Sequence, residues 1–359
     1  MKEKKNNLWV KIIAVLVAVA ITAVIVLSDM KKETADVNAT EPSETETVII
    51  EEFRSEVDTS QPETYSSLLE VLSTLCNKYS TSLKRATLGY TVTGKEIPMV
   101  TIGNGQKKAL VVGAFHAREH LTTKYLLRCI EDYCYALQSG DGTYGAYDLK
   151  SLFSQYTLYI VPCVNPDGLE IVLSRMAPAP GVKIDTLEDY KSNYNGVDLN
   201  GNFPLAWEYV DNGVTEPFGH SFKGYSSASE NETQALIKLC DEHKFEFLLS
   251  VHVKGNFSFW GDMYDDSLND LYEAFATDIG DATGILPLPE PTQEPSGYGG
   301  GFENWFRHTY KKPGLCVELV DVENTIMPCG NENYKEFDNI VIYEKTRYMM
   351  AAALASENK

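Results

Sequence analysis

Positive charge is scarce in this 359-residue sequence: 31 Lys and Arg stand against 51 Asp and Glu, a formal net charge of -20. Such a field repels nucleic acid and anionic membrane surfaces, so no nucleic-acid partner is expected. Acidity alone selects no substrate. Cysteine is sparse too. There are seven, an odd count, and Cys129, Cys163, Cys240 and Cys316 lie in apolar strand-like or helix-like surroundings. That pattern argues for free buried thiols rather than a disulfide framework. No internal repeat is visible. What remains is a chain with 43% apolar residues, enough for one large domain with appendages.

The N-terminal end carries the basic residues. Lys2, Lys4 and Lys5, in a tail over 1–7, precede the run "LWVKIIAVLVAVAITAVIVLS" over 8–28. A helix of about 20 apolar residues is long enough to span a bilayer. The preceding lysines orient it with the N-terminus in the cytoplasm and the bulk of the chain outside. A cleaved signal peptide is the competing reading, since Ala18, Val19 and Ala20 offer a peptidase site, although the apolar run continues well past them. Both readings export the domain. Residues 29–62 are rich in Glu, Thr, Ser and Pro and read as a solvated stalk. No folded prodomain is expected before Glu63.

From 63 to 355 the pattern is that of one α/β domain. Leu68, Leu69, Leu72, Leu75 and Cys76 fall at helical spacing. "RATLGYTVTGKEIPMVTIGNG" reads as two strands joined at Thr93 and Gly94, and "KKALVVGAF" as a buried strand. A helix over "LTTKYLLRCIEDYCYAL" follows, with Thr122 or Thr123 as its cap. Further apolar runs, "YTLYIVPCVNPDG", "FEFLLSVHV" and "PGLCVELV", alternate with helical segments such as "ENETQALIKLCDEH" and "DLYEAFATDIGDA". That alternation predicts a central, mixed, largely parallel sheet flanked by helices on both faces.

Ligands of such sheets bind beyond the carboxyl ends of the strands. Three times the sequence puts an unusual polar residue there: His116 after "LVVGAF", His252 in "LLSVHV" and Glu318 in "GLCVEL". A catalytic zinc takes three His or carboxylate ligands and leaves one position open. His116, Glu119 and His252 make such a set, and Glu318 is left for proton transfer. "HAREH" also matches H-x-x-E-H, in which both histidines bind the metal. That motif needs a helix, whereas His116 sits at a strand end and the helical pattern starts only near Thr122.

The ordered pieces "GYTVTGKEIPMVTIG", "GAFHAREH", "VNPDG", "GVDLNGNFP", "SSASENETQAL", "SVHVKG" and "CVELVD" resemble the zinc carboxypeptidase A/B family, over about Tyr65 to Met350. The resemblance implies the carboxypeptidase-like fold, one zinc ion on His116, Glu119 and His252, and a peptide substrate. It gives Glu318 the proton of the attacking water, which passes to the leaving amine. Zinc lowers a water's pKa towards about 7, and a carboxylate then takes its proton at neutral pH. Arg118 matches a substrate-contacting arginine. Asn200 matches the asparagine that, with an arginine beside it, receives a terminal carboxylate. The family's oxyanion arginine falls between Asp167 and Asn200, where Arg175 is the arginine present, and its covering tyrosine falls near Tyr298. His120, His220, His243 and His308 match no ligand motif.

One departure stands out. Where the family has an arginine after Asn200, this chain has Gly201, and glycine offers no fork for a carboxylate. "NYNGVDLNGNFPLAWE" and "SVHVKGNFSFW" look more like the bacterial branch that cuts γ-D-glutamyl to diamino acid bonds of cell-wall peptides. The expectation is an exported, anchored zinc peptidase, either a carboxypeptidase or a hydrolase of muropeptides. Two other classes compete: a binding module on the same fold without catalysis, and a zinc deacylase.

Overall fold

In the computed structural model, residues 53–138, 141–176, 190–210, 213–289, 301–320 and 334–357 are described. The segment expected to cross a membrane, 8–28, lies outside them. Among the described residues no helix is long and apolar enough to cross a membrane.

The domain opens with helix α1 (Tyr65–Lys78), started by a reciprocal cap in which Thr64 and Ser67 exchange side-chain and backbone hydrogen bonds. Its Leu68, Leu72 and Leu75 are buried. Strands β1 (Leu83–Tyr90) and β2 (Glu96–Gly103) form an antiparallel hairpin. Its turn places Gly94 at φ 84, a region that only glycine enters freely. Then follow β3 (Lys107–Gly113), α2 (Leu121–Gln138), α3 (Leu149–Gln155), β4 (Tyr156–Val161) and α4 (Pro166–Ser174). After a long connection come α5 (Asn231–His243), β5 (Phe247–His252), β6 (Phe257–Phe259), α6 (Asn269–Thr283), β7 (Leu286–Leu288), α7 (Phe302–Tyr310), β8 (Gly314–Glu318) and α8 (Met349–Ser356).

The eight strands form one mixed sheet in the order β1-β2-β4-β3-β5-β8-β6-β7. Its centre, β4-β3-β5-β8, is parallel, while β2 and β6 join it antiparallel. The central strands lack polar alternation because both faces are covered. Ala109 and Val111 of β3 pack with α2, α6 and α8 on one side, and Leu110 and Val112 pack with α5 and α7 on the other. Truncating Leu110 to alanine in so dense an interior costs about 2–5 kcal/mol. The six described cysteines are all free, five of them buried.

One boundary differs from the sequence pattern. Thr122 does not cap α2 from outside but lies in its first turn, which begins at Leu121. Its hydroxyl donates to the Glu119 carbonyl at 2.8 Å and accepts from the Ala114 N–H at 2.8 Å. It therefore ties the helix to the loop before it.

Candidate active site

β3 ends at Gly113, where a Cβ would meet Leu126 Cδ1 at 2.8 Å, so α2 can lie close against the strand. Ala114 then takes φ 51 and turns the chain out of the sheet. The loop it starts carries His116 and Glu119 and is held from three sides. Thr122 closes it onto α2. Asn165 Nδ2, from "VNPDG", donates to the carbonyls of Phe115 (3.1 Å) and Ser192 (3.2 Å). Its own backbone N–H groups at Ala117 and Arg118 donate to the carbonyls of Lys191 and Tyr190, each at 3.0 Å.

On the neighbouring strands, His252 ends β5 and Glu318 ends β8, directly paired in register. The parallel centre of the sheet thus brings residues 116, 119, 252 and 318 to one edge. His116 Nδ1 lies 2.7 Å from one oxygen of Glu119, and His252 Nδ1 lies 2.9 Å from the other. All three side chains are buried, and their donor atoms fall within 4.8 Å of one another. The second nitrogen of each ring is occupied. His116 Nε2–H donates to Asp198 Oδ1 at 3.2 Å, and His252 Nε2 shares a hydrogen bond with Ser250 Oγ at 3.0 Å. Such partners fix the tautomer that presents Nδ1 as the ligand. Two imidazole nitrogens and a carboxylate, oriented in this way, fit the donor set of a catalytic zinc.

The electrostatics are those of a proton-holding cluster. Burial would lower the His116 pKa, but the carboxylates of Glu119 and Asp198 outweigh it and hold it up to about 9. His252 is raised as well, with burial opposing and Glu119 prevailing. Burial works to raise Glu119, yet its two imidazoles hold it well below the ordinary range. Glu318, dehydrated at the strand end and facing the Glu119 charge, is pushed up to about 7. Its carboxylate accepts from the Lys254 backbone N–H.

The other residues singled out by sequence divide. Arg118 stands half-buried on the ligand loop. Asn200 Oδ1 accepts from the Phe302 N–H at 2.8 Å, so its amide N–H is what it can offer a ligand. A Cβ on Gly201 would meet the Lys223 Cβ at 3.3 Å. Arg175 is not brought to the cluster: it caps the far end of α4, exposed, and a nine-residue helix carries it about 13 Å from the end that Asn165 anchors. Tyr298 lies outside the described residues. His120 is buried beside Tyr334, its Nδ1 2.5 Å from that hydroxyl, and burial lowers its pKa to about 4. It is a neutral core residue, and the inverted H-x-x-E-H arrangement is absent, because α2 starts only after it.

Three participants were missed. Asp198 and Ser250 lay inside quoted segments, but their role exists only once the strands are placed. Lys191 carries no such signal in sequence, since the family pattern has an arginine between Asp167 and Asn200. It is half-buried on the strand of chain that clasps the ligand loop, and its charge opposes protonation of His116 and helps depress Asp198.

Three buried donors that could hold a metal ion, with a further carboxylate beside them at the carboxyl edge of a mixed α/β sheet, are the groups a mononuclear zinc peptidase needs. The chain belongs to the zinc carboxypeptidase family, whose pattern residues 68–294 match, and its cofactor is one zinc ion. Gamma-D-glutamyl-L-diamino acid endopeptidase 1 of Lysinibacillus sphaericus is 28% identical over 288 residues, covering 77% of this chain and 68% of that protein. The uncharacterized protein YqgT of Bacillus subtilis is 32% identical over 252 residues, covering 67% of this chain and 65% of that one. The chain therefore spans about two thirds of the length of either relative. The crystal structure of thrombin activatable fibrinolysis inhibitor superposes with a TM-score of 0.68 at 15% identity, over 84% of this chain and 75% of the other. That likeness concerns the fold.

Proposed function

We propose that this zinc peptidase is exported, held at the membrane by the apolar segment 8–28, and hydrolyses γ-D-glutamyl to diamino acid bonds in cell-wall peptides. The observation that carries the reading is Gly201. The ligand set and base are complete, yet the position beside Asn200 offers no cation for a free C-terminal carboxylate. The endopeptidase of Lysinibacillus sphaericus, whose name states that bond, supports it.

Zinc, when bound, supplies Lewis acidity that polarises the scissile carbonyl and acidifies the attacking water. The residues do the rest. Glu318 takes a proton from that water and returns it to the leaving amine, the two halves of a general acid–base task that a carboxylate at this strand end can perform. Asp198 and Ser250 keep the two imidazoles aimed. Lys191, whose charge reaches His116 and Asp198, and Arg118 of the ligand loop are the cations this reading assigns to negative charge developing on the substrate, the task that the family resemblance gives to Arg175.

The test is product analysis by mass with two substrates: a blocked dipeptide with a free C-terminus, and a muropeptide containing γ-D-glutamyl-diaminopimelate. Cleavage of the muropeptide alone supports the proposal, and release of the C-terminal residue from the simple dipeptide makes the protein a conventional carboxypeptidase. Glu318→Gln should lower kcat at least about 100-fold with one zinc still bound by metal analysis. Normal turnover by that variant would remove Glu318 from the chemistry.

A further inference from the structure

At the edge of the sheet opposite the zinc ligands, the described residues line a cavity of about 270 Å³. The turn from α1 to β1 supplies Thr81 and Ser82, β1 supplies Lys84, the turn after β2 supplies Asn104, and α3 supplies Lys150 and Phe153. Gly103, also on the wall, ends β2 opposite Thr157, the second residue of β4. The parallel strands β3 and β4 start at this edge, whereas the ligand loop leaves β3 at the other. A seven-residue strand therefore separates the cavity from the metal centre, about 20 Å.

The walls are held by backbone. Gly103 takes φ 89, and a Cβ there would meet Phe153 Cδ1 at 2.9 Å. The turn that follows is tied to α3 and β4, with Asn104 N–H donating to the Phe153 carbonyl at 3.1 Å and Gly105 N–H to the Tyr156 carbonyl at 3.2 Å. On the other wall, the N–H groups of Ser82 and Leu83 both donate to the Tyr79 carbonyl at 2.9 Å. The side chains on these fixed walls are uncommitted. Those of Thr81, Ser82 and Asn104 form no hydrogen bond with another described residue, and Lys84 forms no ion pair with one. Lys78 and Lys95, by contrast, pair with Glu56 and Asp167. No carboxylate lines the cavity, although the chain carries a net charge of -20. Two ammonium groups, two hydroxyls and an amide thus converge over the buried Phe153 ring, the mixture of a few polar groups and an apolar wall that small-molecule sites show.

We propose that this cavity binds a polyol phosphate, with Lys84 and Lys150 meeting the phosphoryl oxygens, Ser82 and Asn104 hydrogen-bonding around them, and the carbon body lying against Phe153. The donors arrive from three separate segments and surround a tetrahedral group. A planar carboxylate is best met by an arginine fork, and no arginine lines the cavity, whereas lysine serves phosphate as a point charge. At about 30 Å³ per water, the space also exceeds what a bare ion fills. Because the site lies a strand's length from the metal centre, its ligand holds the enzyme in place and leaves the peptide-cutting edge open. The inference does not draw on the identity of the scissile bond.

The test is calorimetric titration of the zinc-loaded full-length chain with sn-glycerol 3-phosphate, with the diester glycerophosphoglycerol, and with glycerate as the carboxylate counterpart. At least one phosphate should bind about 10-fold more tightly than glycerate, and Lys84→Gln should weaken it about 10-fold or more, with Lys84→Arg restoring most of the loss. Raising the salt from low to about 0.5 M should weaken it as well. A tighter diester makes the occupant one unit of a polyol-phosphate polymer, a tighter monoester makes it a free ester, and either supports the site. Binding of neither phosphate, equal binding of glycerate, or full affinity in Lys84→Gln overturns the proposal. So does binding that vanishes when a chelator removes the zinc, since that signal belongs to the metal centre. Should Lys84→Gln fail to fold, Lys150→Gln carries the same expectation and decides in its place.

Discussion

His116 and His252 both turn Nδ1 towards one carboxylate, and this couples zinc uptake to acidity. With its pKa near 9, His116 keeps its ring proton through neutral pH in the metal-free protein, and His252 is shifted the same way. Zinc must displace what they hold, so its affinity should rise with pH, by roughly 10- to 100-fold per unit, and level off above about 9. Chelator competition at pH 6 to 9 measures the slope; a flat profile would mean that the rings are neutral before the metal arrives. Gly201 gives a second prediction at this scale. Its backbone is ordinary and only Lys223 Cβ is close, at 3.3 Å, so Gly201→Arg needs a shift of a few tenths of an ångström. That variant should raise kcat/KM for peptides with a free C-terminal carboxylate by about 10-fold or more, through a bidentate contact. An unchanged profile would mean that the carboxylate is not delivered to this corner.

At the scale of elements, α5 begins under strain. Glu232, in its first turn, is buried with Oε1 unpartnered, and burial followed by the nearby Glu230 and Asp167 charges pushes its pKa up to about 7. A raised carboxyl is protonated in the folded chain while the unfolded chain has already lost the proton. The contribution of this one group to stability is therefore full below about 4.5 and is lost as pH rises through about 7. Glu232→Gln should remove that decline and stabilise the protein at pH 8 by about 1–3 kcal/mol, read from urea unfolding. The elements themselves differed in how legible they were. β3, β4, β5 and β8 were plain in sequence because strands covered on both faces are uninterrupted apolar runs, and the ligands showed as polar interruptions at their ends. β6 and β7, three residues each, have no period to detect and exist only by pairing with β8 and with each other. Lys191 was invisible for a related reason: it is a lysine in a loop, and it acquires meaning only from what tertiary folding puts next to it.

Over the whole molecule, the compact unit runs from Arg54 to Lys359, and its first residues are fastened to α2. Glu131, with its side chain fully buried, accepts from Ser55 Oγ at 2.5 Å and from the backbone N–H of Glu56 at 2.8 Å. Nearby, buried Lys124 pairs with Glu63. A chain shortened to begin at Glu63 would leave Glu131 buried without these donors, and its Tm should fall by about 5–10 °C in calorimetry. An unchanged Tm would mean that the fastening adds nothing.

That fastening also has a mechanical meaning. α2 starts two residues after the ligand Glu119 and grips the incoming chain at Glu131, ten residues or about 15 Å further along one rigid rod. A pull arriving from upstream of residue 54 loads the middle of that rod rather than the loop at its tip. A protein moored by its N-terminal end could then be tugged without its metal ligands being drawn apart.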